Sequence, residues 1–243
     1  MEQAGVNGRG GARLWRWPPG GAPVCASSRG PVIDLRQGSA FACGYHRDCF
    51  VHPEDGNRCI KVSRRGDHRE SMREARYYEH LQRRGVPWSR LPRFHGFIET
   101  TLGPGAVFDL VRDAGGEISK PLCDYFQSLD LTAKHRRGIV RGLGELRRYL
   151  VDHRIVVRTL KPKNLVYQLT DPEDGRLFVV DNIGNTEALP VATHIPFFSY
   201  RKINRKWARF EHDLLAEYRP NPLVARIIAA VRRTASETVE RAG

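Results

Sequence analysis

No stretch of the sequence approaches the ~18 consecutive apolar residues that a membrane-spanning helix needs. We therefore expect no transmembrane segment. The first residues also lack the continuous apolar segment of a secretory signal peptide, so we predict a cytoplasmic protein. Hydrophobic residues nevertheless make up 40% of the chain, and this proportion excludes a wholly disordered protein.

Cysteines are few and follow no metal-binding pattern. The five cysteines are scattered and no two form a CxxC pair, so neither a zinc site nor a thioredoxin-type site is indicated. We expect free thiols in a reducing compartment. These residues are Cys25, Cys43, Cys49, Cys59 and Cys123.

Acidic residues are too few to balance the basic ones. The chain has 40 Lys and Arg against 27 Asp and Glu, a net charge of +13, which favours an anionic partner such as nucleic acid, acidic lipid or phosphate. Ten basic and two acidic residues lie between Leu131 and Leu169, a net +8 that forms either a solvated helix face or a basic rim around a phosphate site. Nucleic acid is disfavoured because no recognition motif is present and few aromatic residues interleave with this run.

The composition divides the chain into four parts. Residues 1–31 are predicted to be a disordered tail, because the first 30 residues include seven Gly and three Pro. A strand-rich lobe is expected over residues 32–111 and a mainly helical lobe over residues 112–220. Residues 221–243 read as a C-terminal helical extension. The predicted fold class is therefore α+β with two lobes.

The first lobe is predicted to contain short strands and one helix. Asp55-Gly56 is the expected hairpin turn before the strand "NRCIKV", and "RFHGFIETTLGPGAVFDLV" predicts two further strands. The helix is predicted from about Arg69 to Arg83, with an apolar stripe that includes Tyr78.

The second lobe is predicted to begin with an amphipathic helix. Ile139, Leu143, Leu146 and Leu150 recur at spacings of four, three and four, and Thr132 is the expected N-cap. A loop, a hairpin around "TDPEDG" and the strand "LFVVDNIG" follow. The remainder is expected to be mainly helical, with a break at "RPNP".

The most specific motif is "LKPKNLV", from Leu160 to Val166, directly after the amphipathic helix. It resembles the catalytic loop of the protein kinase-like superfamily, H-R-D-L-K-P-x-N. Val157 stands at the position of the His and Thr159 at the position of the catalytic Asp. The residues that match are Arg158, Leu160, Lys161, Pro162 and Asn164.

The same resemblance implies a site for ATP and Mg²⁺. Lys61 in "CIKV" matches the strand lysine that binds nucleotide phosphates, and Glu74 matches the helix glutamate expected to pair with it. Asp181 in "VVDNIG" and Asn164 match the magnesium ligands, and their oxygen atoms suit a hard cation. Lys161 matches the loop lysine that stabilises the transferring phosphoryl group.

Two less specific sequence features complete the predicted nucleotide site. The segment "FDLVRDAGGEI" resembles the hinge between the lobes, so backbone groups near Asp109 to Val111 are expected to meet the adenine. The glycine-rich loop GxGxxG maps to Ala42, Gly44 and Arg47, and Gly44 alone retains the glycine.

A closer resemblance covers residues 35 to 215. The runs "GYHRDCFVHPEDGNRCIKV", "EARYYEHL", "PRFHGFIET", "RYLVDHRIV", "LKPKNL" and "VDNIG" resemble the bacterial PhoP regulatory network protein YrbL family. This resemblance implies a kinase-like fold in a regulatory context. It supplies no substrate.

Thr159 leaves three functional hypotheses open. The chain is an atypical kinase acting on an unknown anionic acceptor, a pseudokinase that senses nucleotide or binds a protein partner, or a basic polyanion-binding protein on a kinase scaffold. A threonine hydroxyl is no base near pH 7, but a dissociative transition state depends mainly on positioning and charge. Asp152 and His153 precede the loop as conceivable replacement bases. No A-P-E element follows Asp181, which argues against an ordinary Ser/Thr protein kinase.

Overall fold

The computed structural model describes residues 15–16, 24–25, 32–44, 46–64, 66, 68–184 and 196–240. Two short strands, β1 (Trp15–Arg16) and β2 (Val24–Cys25), pair antiparallel within the segment that the sequence predicts to be disordered. The rest of that predicted tail, residues 1–14, 17–23 and 26–31, lies outside the described residues.

An antiparallel sheet of five strands, in the order β3-β4-β5-β7-β6, forms the first lobe. The predicted turn at Asp55-Gly56 is wrong, because Asp55 already pairs with His52 across the hairpin. Pro53 and Glu54 make the turn instead, and the fixed φ of proline suits its first central position. The strands are β3 (Ala42–Cys43), β4 (Arg47–His52), β5 (Asp55–Ser63), β6 (Phe94–Ile98) and β7 (Gly105–Asp109).

One helix, α1 (Arg69–Arg83), packs against this sheet with the bounds that the sequence predicted. Tyr78, on its apolar stripe, stacks on Trp88 with ring centroids 5.7 Å apart and meets the edge of Phe108 at 5.3 Å. Aromatic contacts of this geometry add to the burial of apolar surface. They fix α1 against β7 and thereby fix Glu74, which lies one turn earlier.

The second lobe is mainly helical. A short helix absent from the predictions, α2 (Leu122–Gln127), precedes the long helix α3 (Leu129–Asp152). A 3₁₀ turn, Pro162–Asn164, leads into the antiparallel hairpin of β8 (Leu165–Leu169) and β9 (Gly175–Val179). The last two helices are α4 (Pro196–Glu217) and α5 (Pro222–Glu240).

The N-cap of α3 is Ser128, so the prediction of Thr132 is wrong. The Ser128 hydroxyl accepts the Leu131 N–H at 3.2 Å. Thr132 is fully buried inside the helix and donates its hydroxyl to the Tyr125 carbonyl at 2.6 Å. The helix starts earlier because α2 ends directly before it, at a residue whose extended backbone suits a cap.

Among the described residues, one large apolar cluster contains side chains of the sheet, of α1 and of the helical lobe. The predicted stripe of α3 is confirmed, since each of its four residues is at most 1% exposed. Helix α5 packs into the same cluster through Val224, Ile227, Ile228 and Val231. The predicted α+β class is confirmed, with an antiparallel sheet in the first lobe and mainly helices in the second. None of the helices in the described part of the chain combines the length and apolar character needed to cross a bilayer.

Candidate functional site

A cleft of about 730 Å³ separates the sheet from the helical lobe. Its roof comes from β3, β4, β5 and β7, and its floor from the loop after α3 and the segment after β9. The structure brings every predicted site residue except Glu74 to its walls. These wall residues are Gly44, Lys61, Asp109, Val111, Thr159, Lys161, Asn164 and Asp181.

Lys61 is a buried cation fixed at the back of the cleft. Its side chain is held on β5, opposite Ala106, and the residue is only 6% exposed. Its ammonium donates to the Val180 carbonyl at 2.5 Å and lies 4.4 Å from the centre of the Phe108 ring. Burial alone would lower the pKa of Lys61, but the charges of Glu74 and Asp181 outweigh burial and raise it. The lysine is therefore protonated at neutral pH.

Glu74 pairs with Arg47 rather than with Lys61, contrary to the sequence prediction. Arg47 Nη1 donates to Glu74 Oε2 at 2.6 Å, and both side chains are almost fully buried. In the sequence prediction, Arg47 stands at the third glycine of the GxGxxG loop. From this position the guanidinium hydrogen-bonds the Glu74 carboxylate, which the sequence had assigned to Lys61. The presence of an arginine where a glycine is usual was the sequence signal for this departure.

Asp181 and Asn164 lie together beside Val180. Asn164 accepts the Val180 N–H at its backbone carbonyl at 3.0 Å, while Asp181 accepts a hydrogen bond from Arg47 and lies 3.9 Å from the Lys61 ammonium. Burial would raise the pKa of Asp181, but the charges of Lys61 and Arg47 outweigh it and lower the pKa. The carboxylate is therefore ionised.

The carboxylate of Asp181 and the amide oxygen of Asn164 are donors of the class that Mg²⁺ uses, and both residues line the cleft. Asn164 is 6% exposed, and its amide nitrogen is buried without a hydrogen-bond partner. Within the described residues no cluster of three or more His, Cys, Asp or Glu side chains could hold a metal alone. Mg²⁺ typically takes one or two protein oxygens and completes its shell with phosphate and water.

Several backbone groups of the predicted hinge segment make hydrogen bonds within the protein. The Leu110 N–H donates to the Asn57 carbonyl at 2.8 Å, and the Val111 carbonyl accepts the Ser119 N–H at 3.0 Å. The Asp109 carbonyl has a long contact with the Cys59 thiol at 3.9 Å. The Asp109 carboxylate turns to β6, where it accepts the Arg93 N–H at 2.9 Å.

Gly44 forms a tight turn at the cleft mouth. Its N–H donates to the Arg47 carbonyl at 2.8 Å, and a Cβ at residue 44 would lie 3.0 Å from that same oxygen. The close approach explains why a glycine stands here, and it places the start of β4 over the cleft.

The loop after α3 carries a carboxylate contact that the sequence did not predict. Arg158 donates to Glu70 Oε1 on α1 at 2.6 Å, and Glu70 lines the cleft together with Thr159. Asp152 and His153, considered as replacement bases, lie at the end of α3 outside the cleft wall. The pair of Glu70 and Arg158 therefore ties α1 directly to the loop.

The chain is similar in sequence to known proteins over most of its length. The family model for the PhoP regulatory network protein YrbL matches residues 33–215. The chain is 39% identical over 185 residues to the uncharacterized protein YrbL of Escherichia coli (strain K12) and to that of Shigella flexneri, covering 74% of this chain and 86% of each relative.

A solved structure also matches in part. It is the CAK complex from Chaetomium thermophilum bound to ATP-gamma-S, in which one chain is 16% identical and superposes with a TM-score of 0.44. The match covers 60% of this chain and less than half, 45%, of that one. With a family model over three quarters of its length and relatives at 39% identity, the chain belongs to the PhoP regulatory network protein YrbL family.

Proposed function

We propose that the cleft binds magnesium-bound ATP and that the protein is an atypical phosphotransferase. One observation carries this proposal: Val180 ties the two lobes together at the site. Its carbonyl accepts from Lys61 of the sheet, and its N–H donates to Asn164 of the loop, directly beside Asp181. A fixed ammonium thus lies 3.9 Å from the Asp181 carboxylate, and Asn164 lines the same cleft. Carboxylate and amide oxygens are the ligands that Mg²⁺ prefers.

Each residue then has a defined task. Lys61 holds a positive charge against the nucleotide phosphates, and Asp181 with the Asn164 amide oxygen would hold the metal. When bound, Mg²⁺ would neutralise negative charge on the nucleotide phosphates. Lys161, at the cleft wall, stabilises charge on the transferring phosphoryl group.

The acceptor is proposed to be anionic. Lys120, Lys161 and Lys163 all line the cleft and add positive charge at its floor. Part of the basic run on α3 is used within the protein, since Arg141 pairs with Asp174 and Arg147 donates to Asn204. The loop lysines are therefore the part of the positive charge best placed for an anionic acceptor.

Thr159 supports a second candidate function, that of a nucleotide-binding pseudokinase. A general base typically contributes about 10²–10⁴-fold to a rate, and the hydroxyl of Thr159 cannot act as one near pH 7. Glu70 is the carboxylate brought to this loop, and its Oε1 already accepts from Arg158. Nucleotide binding without transfer is the behaviour expected from this arrangement if Glu70 does not serve as a base.

Transfer of labelled phosphate separates the two functions. We expect the protein, incubated with γ-labelled ATP, Mg²⁺ and cell extract, to label an acceptor, and Asp181→Asn to abolish the labelling. Asp48→Asn is the matched control, because it removes a sheet carboxylate paired with Arg64 outside the cleft wall. Binding of Mg-ATP without labelling would favour the pseudokinase. Neither binding nor labelling would overturn both and favour the polyanion-binding protein.

A further inference from the structure

Arg47 is a buried cation at the cleft whose role the kinase resemblance does not supply. It is the first residue of β4, paired with Ser63 of β5, and the turn at Gly44 bonds to its carbonyl. The residue is only 6% exposed, yet it lines the cleft. A charged group at such depth must be paired, because an isolated buried charge is very costly.

The Arg47 guanidinium joins acids from both sides of the cleft. Nη1 donates to Glu74 on α1 at 2.6 Å, and Nη2 donates to Asp181 after β9. With Lys61, these residues form a quartet of two cations and two anions whose formal charges sum to zero. The fork shape of the guanidinium makes this double contact available to Arg, whereas Lys would offer a single point charge.

The bond to Arg47 occupies one of the two carboxylate oxygens that Asp181 could offer to a metal. Asp181 Oδ1 accepts from Arg47 and also lies 3.9 Å from the Lys61 ammonium. A divalent cation on this carboxylate would lie close to the guanidinium, and like charges at short range repel each other. Arg47 and a metal would therefore compete for Asp181.

A displaced guanidinium needs another anion within reach. Nucleotide phosphates fit, since their oxygens accept bidentate hydrogen bonds from arginine. Glu74 can remain bound to Arg47 through Oε2 during the exchange. Its second oxygen, Oε1, is buried without a hydrogen-bond partner and can take a further donor, such as Lys61.

We propose that Arg47 makes metal uptake depend on nucleotide: its guanidinium holds Asp181 until the phosphates of the nucleotide take its place as partner. The site then binds a divalent cation weakly alone and tightly together with nucleotide. This inference rests on the proposed nucleotide site, but its first test uses the metal alone.

Mn²⁺, counted by electron paramagnetic resonance of the free ion, is the probe for metal binding without nucleotide. We expect Arg47→Met to bind Mn²⁺ about tenfold or more tightly than the wild type, because Asp181 loses its competing partner. The double variant Arg47→Met/Glu74→Gln guards against misfolding, since it removes both charges of the buried pair. Arg64→Met is the matched control: it breaks a sheet ion pair, with Asp48, that lies on the surface. It should bind Mn²⁺ as the wild type does.

Addition of ATP provides the second readout. In the wild type ATP should increase Mn²⁺ affinity further than it does in the Arg47 variants, where the exchange no longer contributes. Equal Mn²⁺ affinity in the wild type and both Arg47 variants, including no measurable binding in any of them, would overturn the inference. Failure of the wild type to bind Mg-ATP would overturn the proposed function instead. The Mn²⁺ affinities measured without nucleotide would still show whether Arg47 and the metal compete for Asp181.

Discussion

Burial separates the cysteines of the described residues into reactive and protected thiols. Cys43 is exposed at the cleft mouth, whereas Cys59 is buried on β5. Burial raises the pKa of Cys59 to about 12 and also raises that of Cys49. Since the thiolate is the reactive form, these two thiols should react slowly.

Alkylation of the native protein tests this difference. Among Cys43, Cys49, Cys59 and Cys123, we expect iodoacetamide near pH 8 to modify Cys43 first and Cys59 last. Cys59 is slowest because it is both inaccessible and protonated. Peptide mass spectrometry over time gives the rate for each cysteine separately. Modification of Cys59 as fast as Cys43 would contradict the described burial of β5.

The side chain of Asp109, in the predicted hinge, contributes to the stability of the fold. Burial opposes its ionisation, but hydrogen bonds from His95 and the Arg93 N–H outweigh burial and lower its pKa below the usual 3.8. A carboxyl with a lowered pKa stabilises the fold above the unfolded value, and this stability is lost as the pH falls through the folded value.

Asp109→Asn should therefore cost stability at neutral pH and little at acid pH. We expect a loss of about 1 kcal/mol at pH 6, modest because the side chain is partly exposed. The difference from the wild type should shrink below about pH 4. Denaturant unfolding of both proteins between pH 3 and pH 6 measures it. A difference that stays constant over this range would show that the charge of Asp109 is irrelevant.

At the residue scale the sequence identified residues that line one cleft, but not which of their charged groups pair. The order of Lys61, Glu74, Asn164 and Asp181 along the chain followed from the kinase resemblance, and all but Glu74 line one cleft. The partner of Glu74 depends on whether the Arg47 side chain extends far enough to reach α1. The arginine at a glycine position signalled that this loop departs from the family pattern, but the loop pattern does not show which acids Arg47 contacts.

At the scale of elements, glycines decide how the hairpin β8–β9 sits on α3. A Cβ at Gly138 would lie 2.1 Å from the Tyr167 hydroxyl, a distance that atoms cannot adopt. Nothing lies within 4 Å of the corresponding position at Gly144, on the same helix. Replacement by alanine should therefore have opposite effects on stability at these two positions.

We expect Gly138→Ala to destabilise the protein by about 1–3 kcal/mol through overpacking against Tyr167. Gly144→Ala should instead stabilise it by up to about 1 kcal/mol, because alanine favours the helix. Thermal and denaturant unfolding of both variants measures the contrast. The same sign of change in both would contradict the close packing of α3 on the hairpin.

The sequence predicted the helices and strands better than it predicted where they begin and end. The apolar period of α3 identified its buried face, because that period reports packing directly. Its start was placed at Thr132 rather than Ser128, since both residues can cap a helix and the sequence does not show α2 ending just before. The hairpin turn was likewise displaced by two residues, to Pro53 and Glu54.

At the scale of the whole molecule, α5 is part of the helical lobe. Val224, Ile227, Ile228 and Val231 are each at most 2% exposed and belong to the main core cluster. Asn221, just before the helix, donates to the Phe126 carbonyl and to Thr132, each at 2.8 Å. The sequence predicted an extension here, because a helix pattern alone does not show what its apolar face contacts.

Removal of residues 221–243 should therefore unfold the protein. Four aliphatic side chains at about 1.5–3 kcal/mol each amount to roughly 6–12 kcal/mol, comparable with the total stability of a domain. Circular dichroism and size-exclusion chromatography of the truncated chain test this, with a chain ending at Glu240 as control. A cooperatively folded chain ending at residue 220 would contradict it.

Binding of magnesium-bound ATP in the cleft is the central claim, and thermal unfolding tests it most directly. With Mg-ATP at about 100 times its Kd, binding to the folded state adds about 2.7 kcal/mol, or roughly 5–10 °C in Tm for a chain of this size. We predict this rise for the wild type and its loss in Lys61→Met and Asp181→Asn. An unchanged Tm in the wild type, or an equal rise in all three proteins, would contradict the account.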